Sequence, residues 1–475
     1  MFTHPLEELL HPRSIAVVGA SARVVQGPSF LEAVCEFGFN NPIYPVNPKY
    51  SEIMGLKAYP SVKDIPGVVD YVISSIPASK VLGLIADCAE KGVKVIHLFT
   101  ARFSETGRPE APKLEQEVLR QARKAGIRLI GPNCMGVYYP EGKISFRGDL
   151  PKKSGPVGVI SQSGSAVNEM VHLASMNGLF ISKAISYGNA LDFNECDYLE
   201  YLEQDPNTKM ILIYIEGVRD GKRFFEILRN TTATKPVIIV KGGRGESGTR
   251  ATASHTASLA GSMFIWETAV RQAGAISARH LVELVDYAMA FHYLPPIYDR
   301  RVGVAGGAGG SSVLAADLCE EAGLNVIPFP EELRQELKAE GSEIWDWIGN
   351  PVDMSIRVDR GSTAGDILKV MARNPNFDML IAFVHAGGPN LKKKIPIDEF
   401  MKRYSLDELG NKPLIAAMEE HRRLGRNEAQ AWIPELMEEV KERLLEAGIP
   451  VYPSMERAAL AVNTLVDYYQ HKRYE

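Results

Sequence analysis

The chain has 475 residues, and because single hydrophobic cores rarely grow past about 250–300 residues, the length predicts two or three domains. Its composition is that of a soluble globular protein, and a formal charge of −5 without a basic stripe argues against nucleic acid or a membrane surface as the main partner. Five scattered cysteines (35, 88, 134, 196 and 319), with no CxxC and no Cys/His pair at metal spacing, fit reduced thiols in a cytoplasm and argue against a metal site.

The opening segment "MFTHPLEELLHPRS" carries two glutamates and no basic region ahead of an apolar stretch, so it does not read as an export signal. From residue 14 onward, Val/Ile-rich runs alternate with helical patterns: "SIAVVGA", "FLEAVCEF", "PIYPVN", "VDYVISSI", "KVLGLIADCAEKG", "KVIHLF", "KLEQEVLRQARKAG" and "RLIG". That alternation predicts βαβ units on parallel sheets. Polar, proline-bearing joints at "LPKKSGP" and "YLPPIYDRR" divide the pattern into three α/β domains, 1–149, 150–296 and 297–475. Each domain shows a strand running into a small-residue turn and a helix, in "AVVGAS", "GVISQSGSAV" and "GVAGGAGGSSV". The last of these lies in a long uncharged run that is glycine-rich and shorter than the roughly 18 apolar residues of a spanning helix, so no membrane segment is expected.

In the first domain, "VVGAS" leads a strand into a tight turn where backbone N–H groups and a helix N-terminus would receive phosphate. Only Gly19 and Gly27 stand where a dinucleotide reader would show GxGxxG, and a tight turn without a ligand is the plainer alternative. The second strand ends "IYPVNPKY", with Lys49 in the neighbourhood where a NAD site would carry an acidic ribose reader. A cation there suits a phosphorylated ribose or pyrophosphate, as in coenzyme A; a solvated surface lysine is the competing reading.

The second domain supplies three pieces that suit phosphoryl chemistry. Ser163, Gly164 and Ser165 of "SQSGS" fall at a helix start, where small side chains let phosphate reach backbone donors, although serine is also an ordinary N-cap. Glu216 ends the apolar strand of "MILIYIEGVRDG", at the carboxyl edge where open α/β sheets bind ligands. His255 stands in "RATASHTASLAGS", after a glycine-rich loop and among neighbours too small to wall in its ring. An exposed, movable imidazole can take a phosphoryl group and pass it on, and a carboxylate on one ring nitrogen would make the other the nucleophile.

Together "SHTASLAG", "SQSGS", "YIEGVRDG", "GPNCMGV", "YPVNPKY" and "NPVDM" resemble the alpha subunit of the ADP-forming acyl-CoA synthetases, relatives of succinyl-CoA synthetase, over nearly the whole chain. The resemblance implies a Rossmann-like CoA-binding domain followed by two flavodoxin-like parallel-sheet domains. It makes His255 the phosphorylated nucleophile, Glu216 its orienting carboxylate, and Ser163, Gly164 and Ser165 the phosphate cradle. It assigns CoA contacts to Gly19, Ala20, Ser21, Ala22 and Arg23 of the first turn and to Lys49, Pro77, Phe99 and Thr100, with Pro132 and Asn133 near the thioester end. Two residues depart from the family, Ala257 and Arg102, each standing where glycine is usual. No ATP-grasp region is visible, so the resemblance implies a separate ATP-grasp beta subunit that brings ADP or ATP with Mg²⁺, making a hetero-oligomer. A non-catalytic acyl-CoA sensor with the same fold is the alternative; retention of His255, Glu216 and the serine turn favours the enzyme, and the missing acidic ribose reader disfavours a dehydrogenase. The acyl group is not readable, because pockets for different acids differ by a few scattered side chains.

Overall fold

The computed structural model describes residues 4–21, 29–250, 262–342, 345–353, 364–385, 396–402, 410–418 and 431–474. It divides into two compact units, Met1–Leu284 and Val285–Glu475.

The first unit begins with β1 (Ile15–Val18) and β2 (Ile43–Val46), a two-residue hairpin of β3 (Glu52–Ile53) and β4 (Leu56–Lys57), then β5 (Tyr71–Ser74), β6 (Val95–Leu98) and β7 (Arg128–Ile130). Apart from the hairpin, these form a parallel sheet in the order β2-β1-β5-β6-β7. Every residue of β1, β5 and β6 is buried, which is why these strands appear in the sequence as apolar runs rather than alternating ones.

A second sheet in the same unit contains β8 (Gly136–Tyr138), β9 (Val157–Ser161), β10 (Ile181–Ser186), β11 (Met210–Ile215), β12 (Val237–Lys241) and β13 (Ile276–Ala278), in the order β13-β12-β11-β9-β10-β8. All its pairings are parallel except β8 with β10. β8 was not anticipated, being three residues long and antiparallel. Counted from β9, the parallel strands follow the flavodoxin order, so the chain reverses direction across the sheet between β9 and β11.

The two sheets of this unit are tied by Asp192, in the loop after β10. Its buried carboxylate accepts from Arg128 Nε at 2.7 Å and the Leu129 N–H at 3.0 Å, both in the edge strand β7, and from Arg123 Nη2 at 3.1 Å in the helix that precedes it. Burying a carboxylate is costly unless it is paired and hydrogen-bonded, and here both conditions hold.

The second unit carries β14 (Arg301–Gly307), β15 (Asn325–Val326), β16 (Val352–Asp353), β17 (Met379–Phe383), β18 (Leu414–Ala417) and β19 (Val451–Tyr452). Their order is β15-β14-β17-β18-β19, with the short β16 also beside β14 and all pairings parallel. Phe377 and Phe400 lie in its core, and Arg301 grips Asp378 with two hydrogen bonds of 2.9 and 2.6 Å at the start of β14.

Candidate active site

The strand ends on either side of the β9/β11 reversal bring two of the predicted features together. β9 and β11 pair with Ser161 opposite Tyr214, so the turn after Ser161 and the residue after Ile215 leave the sheet side by side. The turn is braced from within: Ser161 Oγ donates to the Ser163 carbonyl at 2.7 Å and accepts the Ser163 N–H at 3.2 Å. Ser163 then caps the helix Gly164–Ser175, its Oγ accepting from the Ala166 N–H at 3.3 Å. The first turn of any helix leaves N–H groups without intrahelical acceptors, so Gly164 and Ser165 offer donors to an anion. A Cβ on Gly164 would lie 2.7 Å from Met135 Cγ, so glycine lets the "GPNCMG" loop press against the helix start. A cavity of about 620 Å³ opens there, lined among others by Met135, Arg147, Gly164, Ser165 and Asn168.

Glu216 is buried, and both its main-chain groups are held by side chains from neighbouring strand ends. Gln162 Oε1 accepts the Glu216 N–H at 2.7 Å and the Gly217 N–H at 3.1 Å. Lys241 Nζ donates to the carbonyls of Glu216 and Gly242 at 2.5 and 2.6 Å. Burial pushes the Lys241 ammonium below the ordinary lysine value, against the opposing attraction of Glu216. Of the carboxylate itself, Oε1 accepts from the Tyr214 hydroxyl at 3.3 Å, while Oε2 is buried and has no partner among the described residues. A buried carboxylate oxygen without a donor is costly, so this atom is suited to an N–H arriving from elsewhere. β12 runs from this point into the glycine-rich loop; His255 and Ala257 lie outside the described residues. Gln162 and Lys241 were not singled out from the sequence: their roles depend on strand register.

In the first sheet the reversal falls between β1 and β5, and the predicted CoA residues follow its carboxyl edge in strand order. Gly19 leaves β1 so close to the end of β5 that a Cβ would sit 2.9 Å from Ser75 Oγ. Ala20 is buried, its carbonyl accepting from Asn47 Nδ2 at 2.7 Å, and Ser21 is half-buried; Ala22 and Arg23 lie outside the described residues. A crevice of about 400 Å³ is lined by Gly19, Asn47, Lys49, Ile76 and Lys80, among others. Lys49 is exposed, with its N–H donating to Asn47 Oδ1 at 3.0 Å. Lys80, at the start of the helix Val81–Lys91, adds a second cation that sequence reading missed; "PASK", placing lysine three residues after Pro77, was the available signal.

Further along the edge, Pro77 is exposed after β5, and Phe99 packs its ring against Phe30 with centroids 5.1 Å apart. Thr100 Oγ1 donates to the Ile76 carbonyl at 2.7 Å, and the Thr100 carbonyl accepts the Asn133 N–H at 3.0 Å. Pro132 follows a cis peptide, and Asn133 adopts a φ of +59°. Arg102, the departure from glycine, also lies in the left-handed region, at φ +78°, where a side chain is disfavoured and glycine is not. Neighbouring Cys134 is fully buried, and burial pushes its thiol far above the usual range, so it offers no thiolate.

The Pro132–Asn133 turn is also gripped by a loop the sequence reading passed over, Tyr187 to Leu191. The Asn189 N–H donates to the Pro132 carbonyl at 3.0 Å and the Leu191 N–H to the Gly131 carbonyl at 2.9 Å. Asn189 Nδ2 is in turn held by Glu105 at 2.7 Å and Glu115 at 3.2 Å, and Arg219 Nη2 reaches the Asn189 carbonyl at 2.7 Å. The "GPNC" turn, the serine turn and the loop after Glu216 are thus physically connected within one unit. Among the described residues, no group of three or more His, Cys, Asp or Glu is placed to hold a metal ion, and no helix is long and apolar enough to cross a membrane.

Comparison with known proteins agrees with this geometry. Residues 13–140 match the family described as CoA binding domain, and residues 154–291 the family described as succinyl-CoA ligase like flavodoxin domain. The chain is 35% identical to the Pyrococcus furiosus acetate–CoA ligase [ADP-forming] I subunit alpha, covering 98% of each. It is 38% identical over 70% of its length to the Methanocaldococcus jannaschii acetate–CoA ligase [ADP-forming], of which it spans 47%. The solved Candidatus Korarchaeum cryptofilum dinucleotide forming acetyl-coenzyme A synthetase 1, in complex with phosphate and ADP, superimposes with a TM-score of 0.80 at 32% identity, covering 99% of each chain. With a CoA-binding domain, a ligase-type flavodoxin domain and full-length similarity to an alpha subunit, the chain belongs to the alpha-subunit family of the ADP-forming acyl-CoA synthetases.

Proposed function

We propose that this chain is the CoA-binding, phosphohistidine-bearing subunit of an ADP-forming acyl-CoA synthetase, catalysing the reversible exchange of acyl-CoA, ADP and phosphate with acid, CoA and ATP. The observation that carries the reading is the buried Oε2 of Glu216, which has no partner among the described residues, beside the Ser163–Gly164–Ser165 helix start at the switch point of one sheet. In the first step a phosphate oxygen attacks the thioester carbonyl; the C–S bond breaks, and acyl phosphate and CoA result. A ring nitrogen of His255 then attacks phosphorus, the bond from phosphorus to the acyl oxygen breaks, and the carboxylate leaves. Glu216 Oε2 accepts the N–H of the other ring nitrogen, which stabilises the positive charge that the ring acquires. Finally a terminal oxygen of ADP takes the phosphoryl group, breaking the P–N bond and forming ATP.

In this reading residues 1–149 hold CoA along the edge from Gly19, Ala20, Ser21, Ala22 and Arg23 through Lys49, Pro77, Phe99 and Thr100 to Pro132 and Asn133. Residues 150–296 perform the phosphoryl transfer, and residues 297–475 form a third domain. The ADP site, with its Mg²⁺, belongs to an ATP-grasp partner subunit; the described residues here do not fit a metal ion, and no step on this chain is routed through one. The match to half of a single-chain enzyme from M. jannaschii supports a partner that supplies the other half. Five unpaired cysteines support a cytoplasmic location.

The test is incubation with labelled phosphate and a panel of acyl-CoAs, alone and with the ATP-grasp subunit. Acid-labile, base-stable label should appear on the chain and vanish in His255→Ala. Label that persists in that variant, or none under any condition, removes the proposal in favour of a sensor.

A further inference from the structure

Gln162 occupies the position between the two halves of the site, and only part of its hydrogen-bonding capacity is spent. Its side-chain oxygen accepts two backbone N–H groups, from Glu216 at 2.7 Å and Gly217 at 3.1 Å. Two donors converging on one atom fix which arm of the amide is oxygen, so the orientation is not open to a flip. Its own backbone N–H is used as well, donating to the Tyr214 carbonyl at 3.0 Å. What remains is Nε2, carrying two N–H groups that no described residue accepts, on a half-buried side chain flanked by Ser161 and Ser163. A residue needed only to fasten Glu216 would require the oxygen alone.

Resting on the phosphohistidine reading above, we propose that Gln162 is a further catalytic residue: its oxygen fastens Glu216 while Nε2–H donates to a non-bridging oxygen of the phosphoryl group as it passes between acyl phosphate and His255. It forms and breaks no covalent bond. It binds the phosphoryl oxygens as charge is redistributed over them in the transition state, and fixed donors of this kind are effective because they need no reorganisation when the reaction occurs.

Two substitutions separate the two arms of the amide. Gln162→Glu keeps acceptor oxygens for the Glu216 and Gly217 N–H groups and replaces the N–H donors with a negative oxygen. Gln162→Met removes both functions. Labelling by phosphate with acetyl-CoA or the best acyl-CoA of the panel is followed in time, together with kcat and KM in the assembled enzyme and the thermal midpoint of each variant. Gln162→Glu is expected to form phosphohistidine about 10²–10³-fold more slowly, the cost of losing one oxyanion-type donor, with KM for acyl-CoA and the midpoint near wild type. Gln162→Met is expected to be equally slow and also to melt earlier. Gln162→Glu labelling within threefold of wild type, with only the Met variant impaired, overturns the donor role and leaves Gln162 a fastener. Absence of label on the wild-type chain overturns the parent reading instead, and this one with it.

Discussion

His97 lies inside β6 with its ring edge-on to Phe30 at 5.4 Å and stacked near Tyr71 at 6.5 Å, its Nε2–H donating to the Cys134 carbonyl at 3.0 Å. Complete burial pulls its pKa down from 6.5 to about 4, outweighing the bond to Cys134, so the folded chain keeps it neutral. Between those values the unfolded chain binds a proton that the folded chain does not, and stability therefore falls as pH drops through this window. At 1.36 kcal/mol per pH unit the loss is about 3 kcal/mol. Urea unfolding of wild type and His97→Gln, which keeps an N–H donor but does not titrate, should show the gap between them shifting by about that amount from pH 7 to pH 4, with wild type losing more; a gap independent of pH would refute the assignment. The same contrast separates what the sequence reveals about individual residues from what it hides. Glutamates at strand ends are common, and Glu216 is visible because it ends an apolar strand at the carboxyl edge of a parallel sheet, where ligands bind. Gln162 and Lys241 are not, because they matter only once parallel pairing sets Ser161 beside Tyr214 and Ile215 beside Lys241.

At the scale of elements, the apolar strands and their helices were legible because burial on both faces removes polar positions from the strand. The exceptions are β8 and the loop from Tyr187 to Leu191, whose meaning comes from what they touch. Gly188 shows why that loop carries its sequence: at φ +55°, its Cβ would fall 2.2 Å from the Pro132 carbonyl oxygen and 2.3 Å from that of Asn133. Both are backbone atoms and neither can swing aside as a side-chain tip could. Gly188→Ala should therefore force the "GPNC" turn away, breaking the bonds from Asn189 and Leu191, each contributing about 0.5–1.5 kcal/mol. Gly55→Ala is the matched control, with φ +75° and nothing within 4 Å of its Cβ, so it bears only the left-handed backbone cost of about 1–2 kcal/mol. In chemical denaturation the Gly188 variant should lose about 2 kcal/mol more than the Gly55 variant, and its CoA affinity should fall as well. Equal losses would show that the contact between the two turns is not what requires glycine.

On the scale of the whole molecule, three strand–turn–helix openings in the sequence correspond to three sheets, parallel but for β8, with related strand order, and the residues cluster into two compact units. The first two sheets share a unit because Asp192, Asn189 and Met135 each reach across from one to the other, and such cross-links between distant segments leave no local pattern to read. Each unit has its own sheets and core, the first unit two large sheets and the second one, so unfolding is expected in two steps, one for Met1–Leu284 and one for Val285–Glu475. The proposed CoA crevice lies wholly within the first. A ligand that binds only the folded state stabilises it by RT ln(1 + [L]/Kd), about 2.7 kcal/mol at a hundredfold excess over Kd. CoA should therefore raise the step assigned to residues 1–284 by roughly that amount and leave the other in place, while NAD at the same concentration should move neither. The steps are assigned by proteolysis at intermediate urea, which cuts the unfolded unit and spares the folded one. A shift confined to the second unit, or one produced equally by NAD, would mean that the crevice bearing Lys49 and Lys80 is not where CoA is held.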